Sequence, residues 1–173
     1  TCALPIFIRS RITIDKSFLD AGTDLQFIAR SGAGMENIDT TYASEKNVVC
    51  IHAPEGNRDA VGEHATGMLL MLLNNLGKAN AEVRQGIWNR EGNRGVELKG
   101  KTVGLIGYGN MGRAFAQRLS GFGCRVMAYD KYLKDWPDDY TERVSMEVIH
   151  RDDDIVSLHV PLTDEDRKST RLN

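Results

Sequence analysis

Six consecutive residues, Gly107-Tyr108-Gly109-Asn110-Met111-Gly112, carry the clearest chemical pattern in the chain. Before them runs Thr102-Val103-Gly104-Leu105-Ile106, short, apolar and β-prone, which reads as a buried strand. After them, Arg113 to Leu119 reads as a helix. A glycine turn between a buried strand and a helix offers backbone N–H groups and the positive end of a helix dipole, an arrangement that suits a pyrophosphate. The first glycine permits the tight turn, the second lets phosphates approach the backbone, and the third lets the helix pack on the strand. A second apolar strand, Arg125 to Tyr129, ends in Asp130, 18 residues past Gly112. That is close to the spacing of about 20 at which an acid receives the ribose hydroxyls of a dinucleotide. A lone GxGxxG is a weak signal, since other βαβ units also contain glycine-rich turns and strand-end acids. Strand, three glycines, helix, strand and acid in that order make the dinucleotide reading the stronger one.

The rest of the chain must position this turn. Ile6-Phe7-Ile8 is a short strand opening onto Arg9-Ser10-Arg11. Asp15 is placed to cap a short helix through Leu19, and Leu25 to Ala29 is a strand ending in the small-residue turn Ser31-Gly32-Ala33-Gly34. Asp39 caps a helix over 40–45, and Val48 to Ile51 is a third strand, stopped at Ala53-Pro54. This alternation predicts an α/β fold with parallel sheets. Val61, Ala65, Met68, Leu69, Leu72, Leu73, Leu76 and Val83 recur at helical steps, predicting one helix over 59–84 with a bend or break near Gly77 as the alternative. Its length suits an element that bridges domains or lies between subunits. Residues 85–99 read as a polar crossover anchored by Trp88, residues 132–141 as a loop, 145–149 as a short helix and 155–160 as a buried strand closed by Pro161.

The composition excludes several function classes. The 173 residues carry a formal net charge of −2, with 41% hydrophobic and 27% charged residues. That balance gives no reason to expect nucleic acid or an anionic membrane as a partner. No apolar run approaches the ~18 residues of a membrane span. Cys2, Cys50 and Cys124 form neither a disulfide ladder nor a zinc spacing, and His52, His64, His150 and His159 show no ligand pattern, so no metal is expected and a cytoplasmic setting is the default.

Taken together, Arg9-Ser10-Arg11, the run Gly32 to Asp39, Gly86-Ile87-Trp88, the run Leu98 to Gly104, the glycine turn and Ser157 to Thr163 resemble, in this order, the D-isomer-specific 2-hydroxyacid dehydrogenases, and among them the D-3-phosphoglycerate dehydrogenases most. The resemblance covers about residues 6–166. It implies a flavodoxin-like substrate domain, partial here over 6–56, and a Rossmann-like NAD-binding domain, partial over 57–166. Residues 1–5 and 168–173 depart from the pattern and read as non-native ends on an incomplete chain. The resemblance implies an NAD-dependent oxidoreductase of small D-2-hydroxy acids, acting on 3-phosphoglycerate in serine biosynthesis or on hydroxypyruvate or glyoxylate. An NAD-sensing co-repressor of the same fold is the alternative.

Residue by residue, the resemblance assigns Gly107, Gly109, Asn110, Met111 and Gly112 to the pyrophosphate and Asp130 to the ribose. Val160 and Pro161 border the cofactor, Ala33 lies on the nicotinamide side, and Arg9, Ser10 and Gly34 lie on the substrate side. Arg9 and Arg11 read equally well as solvated loop charges. His159 is expected to pack and His64 to sit on a helix surface. The family's acid/base histidine, its paired glutamate and its carbonyl-polarising arginine match nothing here, so no residue is assigned a catalytic role. A homodimer or tetramer built on the long helix is implied for the intact protein.

Overall fold

The computed structural model describes residues 4–136 and 138–161. The chain divides into two compact units, 1–58 and 59–173.

The first unit contains β1 (Leu4–Ile8), α1 (Lys16–Ala21), β2 (Leu25–Arg30), α2 (Thr40–Glu45) and β3 (Val49–His52). Its three strands are parallel, in the order β1-β2-β3. β1 starts two residues earlier than expected, because Leu4 and Pro5 pair with Leu25 and Phe27. The side chains of Asp15 and Asp39 accept the Phe18 and Tyr42 N–H groups at 2.9 Å each, so both expected helix caps form. One face of the sheet closes over Ile8, Ile14, Leu19, Leu25, Ile28, Ile38, Ala43 and Val48. Phe7, Val49 and Ile51 remain exposed.

The second unit contains α3 (Arg58–Leu73) from its second residue on, α4 (Leu76–Arg84), β4 (Thr102–Ile106), α5 (Asn110–Leu119), β5 (Arg125–Tyr129), β6 (Glu142–Arg143), α6 (Met146–Asp152) and β7 (Ile155–Leu158). Its parallel sheet has the order β6-β5-β4-β7. The two-residue β6 lies where the sequence offered only a loop boundary, so the described sheet has four strands rather than three. Val103, Leu105, Val126 and Ala128 pack with Phe115, Ala116 and Leu119 of α5. Met127 and, on α6, Ile149 are fully buried, and Gly104 meets Ile149 and Asp153. Burial on both faces explains why these strands read as continuous apolar runs.

The expected long helix is two helices. The break expected near Gly77 falls at Asn74-Asn75, where Asn75 takes the left-handed backbone, with φ +53°. Asparagine tolerates that region better than any apolar neighbour here. The carbonyl of Leu73, freed by the break, accepts the Val96 N–H at 2.9 Å, and the Asn75 side chain donates to the Arg94 carbonyl at 3.1 Å. A Cβ on Gly95 would sit 2.8 Å from that same Leu73 oxygen. The crossover segment therefore stitches the break. It is anchored by buried Leu98, whereas the expected anchor, Trp88, is 83% exposed.

One buried group is out of balance. Both carboxylate oxygens of Asp153 are buried without a hydrogen-bond partner among the described residues. Oδ2 sits where a Cβ on Gly104 would be. Burial, aided by neighbouring Asp152, pushes the Asp153 carboxyl up to about 6. Folding thus favours its neutral form, and the stability this group contributes is lost as pH rises through about 6. Asp153→Ala is expected to stabilise the protein at pH 7 by about 1–3 kcal/mol, the cost of an unsatisfied buried group. The gain should shrink at pH 5. Thermal unfolding at both pH values checks this; an unchanged or lower melting temperature at pH 7 would refute it.

Candidate functional site

The glycine turn lies at the carboxyl end of β4, between the ends of β5 and β7. Strand order reverses there, since the chain goes from β4 to β5 on one side and returns to β7 on the other. Ligands of open α/β sheets bind at such points. Each glycine answers a different constraint. Gly107 has φ +94°, and a Cβ on it would lie 2.5 Å from the His159 carbonyl oxygen and 2.9 Å from Val160 Cγ1. A Cβ on Gly112 would overlap the Gly107 carbonyl oxygen, so the first turn of α5 rests directly on the loop. Gly109 differs. Its backbone is extended, φ −76° and ψ −159°, which any residue adopts, and a Cβ there would meet nothing within 4 Å. Among the described residues nothing requires glycine at this position; the open flank leaves room for an anion at the helix start. Among the described residues no side chain caps α5, and its first turn holds no acid, so the N–H groups there keep their partial positive charge.

Backbone bonds fix the turn on both sides. The Gly107 N–H donates to the Tyr129 carbonyl and the His159 N–H to the Ile106 carbonyl, both at 2.8 Å. Asp130 supplies a third tie: Oδ2 accepts the Tyr108 N–H at 2.8 Å, while Oδ1 accepts those of Tyr132 at 2.8 Å and Leu133 at 3.0 Å. Burial pushes the Asp130 carboxyl up, but the three N–H groups and the charge of Arg143 outweigh it, and the net shift is below the usual carboxylate value. Asp130 is therefore ionised at neutral pH.

Tyr108 was assigned no role from the sequence, yet it locks the region together. It is fully buried and stacks on Trp136 with ring centroids 4.6 Å apart and an 8° interplanar angle. Its hydroxyl donates to Asp138 Oδ1 at 2.5 Å, and Arg113 Nε donates to Asp138 Oδ2 at 3.0 Å. Burial, then Asp138, raises the Tyr108 hydroxyl well above its ordinary pKa, so it remains a donor. The segment that read as a polar loop thus folds back over the glycine turn. The aromatic residues were visible in the sequence, but a contact spanning 30 positions carries no local signal.

His159 packs as expected. Its ring lies 5.5 Å from that of Phe115, Ser157 Oγ is 3.0 Å from Nε2, and burial lowers its pKa, which keeps the ring neutral at pH 7. His64 lies exposed on α3. Asn110 and Met111 open α5, and Val160 and Pro161 follow β7, so these four join the three glycines and Asp130 in one cluster of the second unit. A separate apolar groove of about 740 Å³, lined by Met68, Leu72, Phe115, Val156, Leu158 and His159 among others, does not include the glycine turn.

In the first unit, Arg9 and Ser10 are exposed just past β1, and Ala33 and Gly34 follow β2. Both loops leave the same end of the sheet. Two residues not assigned to the site from sequence hold them. Asn37 Nδ2 donates to the carbonyls of Ile12 at 2.6 Å and Arg9 at 3.2 Å. His52 Nδ1 lies 2.6 Å from the Ala33 carbonyl oxygen.

Residues 66–171 match the D-isomer specific 2-hydroxyacid dehydrogenase, NAD binding domain. The chain belongs to this family. It is 36% identical over 164 residues to a hydroxypyruvate reductase of Thermotoga maritima, covering 94% of this chain and 53% of that protein. It is 34% identical over 165 residues to a D-3-phosphoglycerate dehydrogenase of Mycobacterium bovis, covering 92% of this chain and 31% of that one. Among solved structures, the D-lactate dehydrogenase of Aquifex aeolicus complexed with NAD and lactic acid is similar with TM-score 0.83 and 26% identity, over 93% of this chain and 49% of that one. The chain thus spans between about a third and a half of the length of these relatives.

As a family member, the second unit is an NAD-binding domain of Rossmann-like α/β architecture, and its glycine turn is the part suited to an anion. The contrast between Gly109 and Gly112 separates binding from folding. Gly109→Ala is expected to leave the melting temperature within about a degree of the parent and to weaken NAD binding at least about tenfold. Gly112→Ala must push the helix off the loop and should destabilise the fold by about 1–3 kcal/mol, the cost of overpacking. Paired thermal unfolding and NAD titration check this. Equal effects of the two substitutions on stability would contradict the distinction.

Proposed function

We propose that the chain serves NAD(H)-dependent interconversion of a small D-2-hydroxy acid and its 2-oxo acid, with 3-phosphoglycerate, or hydroxypyruvate and glyoxylate, as substrates. The observation that carries the reading is the uncapped start of α5 with its open flank at Gly109, set beside the ionised Asp130. The names of the two curated relatives support the substrate class.

When bound, NAD supplies the nicotinamide ring that accepts or gives a hydride. The protein's own groups bind and orient. The N–H groups at the start of α5 hold the pyrophosphate, with Gly107 and Gly112 fixing the backbone that presents them. Three of the roughly four lone-pair sites of Asp130 are occupied by N–H donors, leaving capacity for a ribose hydroxyl. Val160 and Pro161 are assigned to the cofactor in the second unit, and in the first unit Ala33 is assigned to the nicotinamide. Arg9 and Ser10 face the substrate, and the Gly34 backbone receives its carboxylate.

An ionised Asp130 repels a 2′-phosphate, so NADH should bind more tightly than NADPH. Fluorescence titration with both cofactors tests the choice, and equal or tighter NADPH binding would sink it.

We also propose a homodimer through α3. Met68 and Leu72 are 58% and 75% exposed on it, while Ala65, Leu69 and Leu73 face the core. Gly67, whose added Cβ would meet nothing within 4 Å, permits close approach by a partner helix. Sedimentation at micromolar concentration should show a dimer that Leu72→Lys converts to monomer. A monomeric parent counts against this interface.

A further inference from the structure

The turn Ser31-Gly32-Ala33-Gly34 leaves β2, the central strand of the first unit, and β3 ends beside it, with Arg30 paired to His52. Two successive carbonyls of the turn are held from β3's end. The Gly32 carbonyl accepts the Ala53 N–H at 3.1 Å, and the Ala33 carbonyl lies 2.6 Å from His52 Nδ1. A carbonyl only accepts, so His52 carries its proton on Nδ1 in this contact. Gly32 reaches the geometry with φ +152°, open to glycine.

The peptides are trans, and in a trans peptide the N–H points opposite to the C=O of the same plane. With the carbonyls of Gly32 and Ala33 drawn to β3, the N–H groups of Ala33 and Gly34 are turned away from it together. Among the described residues neither donates to a protein acceptor. Two adjacent N–H groups presented in this way form a small anion-binding concavity. The nearest acid, Glu36, lies against Gly34 but is paired with Arg30 at 2.9 Å, and Arg30's side chain is only 12% exposed. Its charge is thereby matched.

The geometry points to His52 as a positioning residue: by holding the Ala33 carbonyl it keeps the Gly34 N–H facing an incoming substrate carboxylate, an inference that rests on the carboxylate role proposed above for Gly34. Without the imidazole the Ala33-Gly34 peptide is free to rotate, and rotation replaces an attractive N–H with a repulsive carbonyl oxygen. The chemistry required is a single N–H donor about one side chain's reach from the strand. An asparagine carboxamide can supply it at the place of Nδ1, whereas alanine cannot.

The test uses the isotopically labelled 173-residue chain, its His52→Ala and His52→Asn variants, and oxamate, a stable 2-oxo-acid analogue. His52 is exposed, so both variants should fold, with far-UV spectra and melting temperatures like the parent's. In His52→Ala the Ala33 carbonyl carbon and Gly34 amide resonances should move, and oxamate affinity should fall roughly three- to tenfold, the effect of one net hydrogen bond. His52→Asn should restore both to within about twofold. If His52→Ala leaves the resonances and the affinity unchanged, or if His52→Asn fails to rescue, the positioning role is overturned while the carboxylate reading stands. If oxamate leaves the Gly34 amide of the parent unmoved although His52→Ala disturbs the loop, the carboxylate reading itself fails and the positioning role with it.

Discussion

The carbonyl oxygen of Gly107 occupies the space that a side chain on residue 112 would need, and much of the second unit follows from that contact. With α5 resting on the turn, its first N–H groups are held at the carboxyl edge of the sheet rather than beyond it. The approach needs glycine at both ends: at 112 for space, and at 107 for a φ of +94° under the His159 carbonyl. It also fixes the helix direction, so that Phe115, Ala116 and Leu119 fall on Val103, Leu105, Val126 and Ala128. Core packing and the placement of the first N–H groups of α5 are thus set by one backbone contact. Gly109 stands outside this logic, since no atom of the described residues crowds its free face. A glycine that folding does not need points to something outside the fold.

Asp130 has both a structural and an electrostatic part. By accepting the Tyr108 N–H it ties the turn to the end of β5, and by accepting those of Tyr132 and Leu133 it starts the segment that returns over the turn. Tyr108 then closes the loop from beneath, stacked on Trp136 and bonded to Asp138, which Arg113 also engages. These contacts hold a carboxylate ionised in a partly buried place, where desolvation alone would favour its neutral form. Negative charge at the strand end and positive helix potential at the turn are therefore held a few residues apart by one network.

The sequence made legible what repeats locally. Strand alternation, the aspartate caps and the glycine spacing each depend on residues within a few positions of one another, and β2, α1, α2, β4, α5 and β5 fell where those signals put them. Features that depend on distant pairing did not appear. The break at Asn74-Asn75 is stabilised by Arg94 and Val96, about twenty residues on, while the more conspicuous Gly77 stays helical. Trp88 looked like an anchor because of its size, yet the small contact of Gly95 and the burial of Leu98 do that work. Strand β6 is only Glu142–Arg143, too short and too polar to show any periodicity. In the candidate site, the glycines and Asp130 were readable because a motif carries them, whereas Tyr108, Asp138, Asn37 and His52 act through contacts of 19 to 30 positions.

The two units solve the same problem with opposite polarity. Each has a small-residue turn at the carboxyl end of a strand, and each turn is tied to a side chain at the end of the neighbouring parallel strand. In the second unit the tie is an acceptor, Asp130, which takes a backbone N–H of the turn and leaves the later N–H groups of α5 at the open end. In the first unit the tie is a donor, His52, which takes a backbone carbonyl. Because the C=O and N–H bonds of a trans peptide plane point in opposite directions, engaging a carbonyl on one side turns the following N–H to the other. The second unit has a helix whose aligned dipoles give its N–H groups strength, so its turn needs only to be held still. No helix starts at the turn of the first unit, where α2 begins only at Thr40. There N–H groups can be oriented only one peptide at a time, which is the role proposed for the His52 imidazole.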